Sequence, residues 1–101
     1  MILPSEQAGG SGPKPKFRLG QLVATPGVLE LVTQEEITRS LDRHICGDWG
    51  DVDEEDREAN EHGLIHALRL LSVYHSTNGT KFWIITEHDR SVTTVLLPLE
   101  Y

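Results

Sequence analysis

Leu70-Leu71-Ser72-Val73-Tyr74-His75, then Thr77-Asn78-Gly79-Thr80, then Lys81-Phe82-Trp83-Ile84-Ile85-Thr86 is the stretch that decides the fold. Two runs rich in apolar, aromatic and β-branched residues flank an Asn-Gly pair, and these two residue types tolerate the positive φ that a tight hairpin turn requires. A β-hairpin is the direct prediction. Downstream, Glu87-His88-Asp89-Arg90 is polar enough to turn the chain again, and Ser91 to Leu97 supplies a third strand that Pro98 terminates.

Upstream of the hairpin the apolar residues repeat at helical rather than strand spacing. Thr25-Pro26 reads as an N-cap followed by proline at the first helical position, opening a short helix over Gly27 to Leu31. Thr33-Gln34-Glu35-Glu36 is a capping box, after which Ile37, Leu41 and Ile45 recur every fourth residue until Gly47. Asp53 is placed to cap a third helix whose first turn holds Glu54, Glu55 and Asp56, favourably near a positive dipole end. That helix runs past Asn60 and ends either at Gly63 or near Leu70. Phe17 to Val23 is a short apolar stretch, and Met1 to Lys16, with Gly9-Gly10-Ser11-Gly12 and Pro13-Lys14-Pro15-Lys16, reads as a flexible tail. The expected architecture is α+β: a tail over 1–16, then a single small domain over 17–101. In that domain two or three short helices precede a three-stranded antiparallel meander and cover one of its faces.

The chain has 101 residues, too few for a multi-domain enzyme, and its composition, 38% apolar and 25% charged, leaves no run long enough to span a bilayer as a helix. One cysteine, Cys46, cannot form an internal disulfide, and the first residues do not have the pattern of a secretory signal, so a cytoplasmic location is expected. The net charge of −7 opposes direct binding to nucleic acid. Its placement is uneven. Residues 48–61 hold Asp48, Asp51, Asp53, Glu54, Glu55, Asp56, Glu58 and Glu61 against Arg57 alone, while the rest of the chain carries eight groups of each sign. Such a segment would steer a cationic partner, including a basic protein groove that otherwise binds nucleic acid. The plainer interpretation is a solvated helix start with good dipole pairing. A calcium loop is not indicated, because Asp48, Asp51 and Asp53 lack the alternate spacing and terminal glutamate of that motif.

The residues that carry chemistry are few. His62 and His66 stand at i and i+4, and His44 with Cys46 would add two more metal ligands, but the chain has neither paired ligands on both sides nor an HExxH motif. No metal and no cofactor are expected. His44 and Cys46, at i and i+2, point apart on a helix, and a helix C-terminus raises a thiol pKa, so a nucleophilic cysteine is disfavoured. No glycine-rich phosphate loop is present. One catalytic constellation stays open: His44, Asp48 and Asp51 before the third helix, with Glu87, Asp89 and Arg90 in the last turn, where a histidine, carboxylates and an arginine would serve a hydrolase or nuclease if the fold brought them together. The alternative is that Asp89 and Arg90 set the turn while Trp49 and Trp83 anchor loops to the core.

From Phe17 to the C-terminus the sequence resembles a set of short bacterial proteins of plasmids and other mobile elements. The resemblance is carried by Gln21-Leu22-Val23-Ala24-Thr25-Pro26-Gly27, by Gly47-Asp48-Trp49-Gly50-Asp51-Val52-Asp53-Glu54-Glu55-Asp56, and by Trp83 through Pro98. The chain departs from the looser pattern at His62-Gly63-Leu64-Ile65-His66. Proteins of this group are commonly labelled as the M subunit of type I restriction systems. A DNA methyltransferase needs a cofactor-binding sheet of roughly 200 residues or more and an Asn/Asp-Pro-Pro-aromatic motif, and this chain has neither. The resemblance therefore implies a mobile-element setting near host defence and supplies no catalytic residues.

Three readings of function follow. The first is a small acidic, non-enzymatic protein-binding module whose contact residues are Asp48, Trp49, Asp51, Asp53, Glu54, Glu55 and Asp56, facing a basic nucleic-acid-processing or host-defence protein. The second is a small hydrolase or nuclease using His44, Glu87 and Arg90. The third is a homodimer joined along a sheet edge, since a three-stranded meander leaves two edges open.

Overall fold

The computed structural model describes residues 14–101 and is α+β. Along the chain run β1 (Gln21–Ala24), α1 (Pro26–Leu31), α2 (Gln34–Ile45), α3 (Glu54–His66), β2 (Leu70–His75), β3 (Lys81–Thr86), β4 (Val92–Leu96) and a 3-10 turn (Pro98–Glu100). The tail expected over 1–16 lies outside the described residues as far as residue 13. At Lys16 the backbone amide already donates to Ile45 O at 2.8 Å.

The hairpin and third strand form as the local sequence dictates, β2 pairing with β3 and β3 with β4, both antiparallel. The expectation of a three-stranded, purely antiparallel sheet needs correcting. The sheet has four strands in the order β1-β4-β3-β2, and β1 lies parallel to β4 with Gln21 opposite Val92 and Ala24 opposite Val95. A side chain on Gly20 would collide with the carbonyl oxygens of Arg90 and Ser91, so a glycine at φ +67 is what lets β1 start against β4.

One face of the sheet is the core. Leu22 and Ala24, Tyr74, Phe82, Ile84 and Val95 alternate inward and meet Val28, Val32, Ile37 and Leu41 from α1 and α2. The capping box of α2 is formed by Thr33 and Glu36, and Glu36 also accepts the Thr77 amide at 2.7 Å, which ties the helix start to the hairpin turn. At the chain end the Glu100 carboxylate accepts from the Gly27 amide (3.0 Å) and from Thr25 Oγ1, holding the 3-10 turn to the first residues of α1. On the opposite sheet face Trp83 packs edge-on against Tyr101, with ring centroids 5.7 Å apart.

The third helix behaves differently from the other two. Only Asn60 and Gly63 of its thirteen residues are buried, so it sits beside the sheet rather than on it. Gly63 does not stop it. The helix continues to His66 and ends where Ala67 takes a left-handed conformation, φ 56°. Its attachment is at the β2 edge, where Asn60 Nδ2 donates to Leu71 O (2.7 Å) and the Leu71 amide donates to Asn60 Oδ1 (2.9 Å). The next outward pair is taken by the loop before α3: Val73 N donates to Trp49 O (3.0 Å) and Asp51 N to Val73 O (2.7 Å). Gly50 at φ +75° permits this, since a side chain there would strike the Val73 carbonyl oxygen. Neither of the two edges expected to be open is left as the meander alone would leave it, for β1 covers one side and Asn60 with the 49–51 loop covers the other.

Replacing Asn60 by alanine removes both bonds to Leu71 and leaves a half-buried amide and carbonyl without partners. The expected loss of stability is roughly 2–4 kcal/mol, read from chemical denaturation. A change within about 0.5 kcal/mol would show that α3 is held by something other than this side chain.

Candidate functional site

The acidic segment begins in the loop after α2 and covers the exposed start of α3. Its members differ in how far they are committed. Asp48 receives Arg43 Nε at 2.8 Å and Nη2 at 3.3 Å, and this guanidinium, which lies 4.7 Å from the centre of the Tyr74 ring, holds the Asp48 carboxyl below the usual carboxylate range. Asp51 faces His75 at 3.1 Å. Asp53 caps α3 by accepting the Asp56 amide at 2.8 Å, and Glu54 stands 3.7 Å from Arg57. Glu61 accepts the indole N–H of Trp49 at 2.8 Å. The side chains of Glu55, Asp56 and Glu58 are exposed and make no hydrogen bond or ion pair among the described residues.

Of the seven residues assigned to binding from the sequence, six are exposed at this surface. Trp49 is not: it is 1% exposed, and so it anchors the loop to the core instead of offering a contact face. Arg43 is the one arginine from outside the segment paired with it among the described residues, so most of the segment's charge stays unscreened by the protein itself.

The alternative constellation, His44, Glu87 and Arg90, is placed by the structure in three separate roles. His44 is fully buried. Its Nδ1 lies 2.6 Å from Ser72 Oγ and its Nε2 2.9 Å from Thr86 Oγ1. Thr86 Oγ1 is 2.7 Å from Thr93 Oγ1, which donates to Leu19 O at 2.7 Å. The direction of these bonds follows from the last of them. A carbonyl can only accept, so the Thr93 hydroxyl hydrogen goes to Leu19. Thr86 must then donate to Thr93, and it can only accept from His44. The proton of the neutral ring is therefore on Nε2, and Nδ1 accepts from Ser72. Phe17 and Trp49 close over the ring with centroids at 5.1 and 5.7 Å, both edge-on. Burial pushes the imidazole down to about 3 from its ordinary 6.5, and the nearby Arg90 charge adds to the shift.

Arg90 donates to the carbonyls of Leu68 (2.7 Å), Gly63 (3.0 Å), Glu87 (3.0 Å) and His88 (3.3 Å), and its guanidinium lies 5.6 Å from the centre of the Phe17 ring. It joins the end of α3 to the last turn. Glu87 pairs with Arg69 at 3.2 Å, and Asp89 accepts from the Ser91 amide and hydroxyl, setting the turn as its composition suggested. The arrangement offers His44 to the interior and to no substrate. Nor does the four-residue metal set assemble, since His44 faces the sheet while His62 and His66 are exposed on α3. Among the described residues, no group of three or more His, Cys, Asp or Glu is arranged to hold a metal ion.

Sequence reasoning missed Ser72, Thr86, Thr93 and Asn60. A signal existed for three of them. Strand alternation places Leu70-Ser72-Tyr74, Phe82-Ile84-Thr86 and Thr93-Val95 inward, so three hydroxyls at one end of a core face require a polar partner from the helical layer. Comparison of the chain with protein-family models, with curated proteins and with solved structures finds no match.

The His44 assignment carries a pH dependence. The unfolded histidine takes up a proton near 6.5 and the folded one only at about 3, so the unfolded state binds more protons between these values. Stability then falls as pH drops through that window, by up to about 1.4 kcal/mol per pH unit. Nitrogen NMR of the rings should find His44 protonated at Nε2 alone between about pH 5 and 8. A His44 ring that titrates near its ordinary value would contradict the slope, and a neutral ring protonated at Nδ1 would contradict the tautomer.

Proposed function

We propose that the protein is a small acidic, non-enzymatic binding module that docks through residues 48–61 on a basic protein surface. The observation that carries this reading is the pairing pattern of that segment: eight carboxylates on a loop and the start of a helix beside the sheet, with a single arginine contributed from elsewhere among the described residues. A field of one sign on a projecting element accelerates encounter with a surface of the opposite sign and disfavours phosphate-bearing partners. Rigidity supports it as well. Asp53 caps the helix, Trp49 is locked in the core and its indole holds Glu61, so the carboxylates are displayed from a fixed backbone with little ordering cost on association.

The resemblance to mobile-element proteins directs the search for the partner to nucleic-acid-processing or host-defence proteins in the cytoplasm, whose basic grooves are built to receive a polyanion. In this reading the six exposed residues Asp48, Asp51, Asp53, Glu54, Glu55 and Asp56 form the contact surface together with Glu58, while Trp49 supports it from beneath.

Glu55→Lys combined with Glu58→Lys tests the proposal, because neither side chain caps a helix or holds a loop. Association with a partner identified from lysate and reconstituted from purified components should weaken by roughly tenfold or more on the double charge reversal and fall as salt rises. Glu30→Lys on α1 should leave it unchanged. Binding that is insensitive to both salt and the double reversal would sink the docking role.

A further inference from the structure

Two imidazoles lie beyond the roles assigned so far. His62 and His66 are both exposed on α3, one helical turn apart, with ring centroids 4.2 Å from each other and planes inclined by 39°. Neither makes a hydrogen bond or an ion pair among the described residues. Residues at i and i+4 share a helix face, so a single ion can reach both rings. The other exposed histidines are not so placed: His75 is engaged by Asp51 at 3.1 Å, and His88 lies in the last turn away from any second ring.

The backbone beneath the pair is fixed. Asn60 is bonded twice to Leu71, and the Gly63 carbonyl takes Arg90 Nη2 at 3.0 Å, so the last turns of α3 are tied to the sheet at the two positions that bracket His62. Ligands carried on a held element lose less freedom on binding than ligands on a fraying helix end. The surrounding field favours cations, since the same helix carries Glu54, Glu55, Asp56, Glu58 and Glu61. The donor atoms decide which cation. Imidazole nitrogen suits Cu²⁺, Zn²⁺ and Ni²⁺, whereas Mg²⁺ and Ca²⁺ require oxygen ligands.

We propose that His62 and His66 form a bidentate chelate for a borderline divalent cation such as Cu²⁺ or Zn²⁺. One ring nitrogen of each residue binds the ion, and the remaining coordination positions are open to water or to an external ligand. Nitrogens that share an ion at ~2.0–2.1 Å stand about 3 Å apart, and rings already this close reach that separation by side-chain rotation alone. Among the described residues no third ligand joins the pair, so the site is an open one, unlike the closed sets of structural zinc. The inference is independent of the docking role, for it needs no protein partner and takes its ligands from His62 and His66 alone, the nearby carboxylates adding only a favourable field.

Titration of the metal-free full chain with zinc chloride or copper chloride, followed by NMR of the histidine rings and by calorimetry, tests it. The expected result is a single saturating equivalent that perturbs His62 and His66 first. H62Q or H66Q should each weaken the apparent affinity by roughly tenfold or more, because the second nitrogen no longer binds within the same molecule. H75Q should leave it unchanged. Both substitutions are at exposed positions, and a metal-induced rise in melting temperature seen in the native chain should shrink in either and vanish in the double substitution. Binding that survives the H62Q/H66Q double substitution, or magnesium binding as strong as zinc, would place the ion on the carboxylates and overturn the proposal.

Discussion

A buried imidazole has to be given one donor and one acceptor, and in this protein that requirement connects most of the fold. His44 on α2 reaches Ser72 of β2 and Thr86 of β3, and the chain of hydroxyls continues through Thr93 of β4 to the carbonyl of Leu19 just before β1. Every strand or its immediate approach contributes an atom. Because the terminal carbonyl is an acceptor only, each hydroxyl upstream has one allowed orientation, and the ring one allowed tautomer. A network with no spare hydrogen tolerates no substitution silently, since an unsatisfied group in a site of low dielectric costs more than the bond it replaced. The apolar core around Phe82, Ile84 and Val95 supplies the burial that drives folding, and the polar string ties α2 to β2, β3 and β4 beside it.

The sheet edge and the acidic segment are parts of one construction. Trp49 to Asp51 lie along β2 as a short parallel bridge, and a few residues later Asn60 presents its amide to the next outward pair of that strand. The loop that closes the edge is the same loop that carries Asp48 and Asp51, and the helix that closes it also carries the remaining carboxylates. Negative charge along a sheet margin discourages pairing with a second chain, so the segment protects the fold as well as serving the role proposed for it.

What was legible in the sequence was what is local. The Asn-Gly hairpin, the Thr33–Glu36 box and the Asp53 cap depend on neighbours a few residues apart, and their chemistry is written in the residue types. The first strand was missed because its four residues place only Leu22 and Ala24 inward, too few for an alternating pattern to stand out, and its partner lies at the other end of the chain. The end of α3 was ambiguous because a glycine, the expected stop, is used instead for close packing: a side chain on Gly63 would press on Leu70, and the left-handed turn falls to Ala67. For the candidate site, charge was visible in the composition, whereas Trp49 could be read either as a contact residue or as a core anchor, and only the fold decides for the anchor. Trp49 sits among aspartates in the sequence and under them in the structure. His44, Glu87 and Arg90 look like acid/base groups by type, yet each is spent on holding the fold.

The parallel pairing of β1 with β4 also has a kinetic consequence. A hairpin closes within its own segment, but β1 has no strand to join until β4 is in place at the far end of the chain. Closing a loop over that separation costs more chain entropy than closing the hairpin, so late docking of the N-terminal strand is the expected order of assembly. During synthesis the first strand emerges long before its neighbour exists. Its brevity, with a glycine before it and a proline two residues after it, leaves little for an unwanted strand to pair with in the interval.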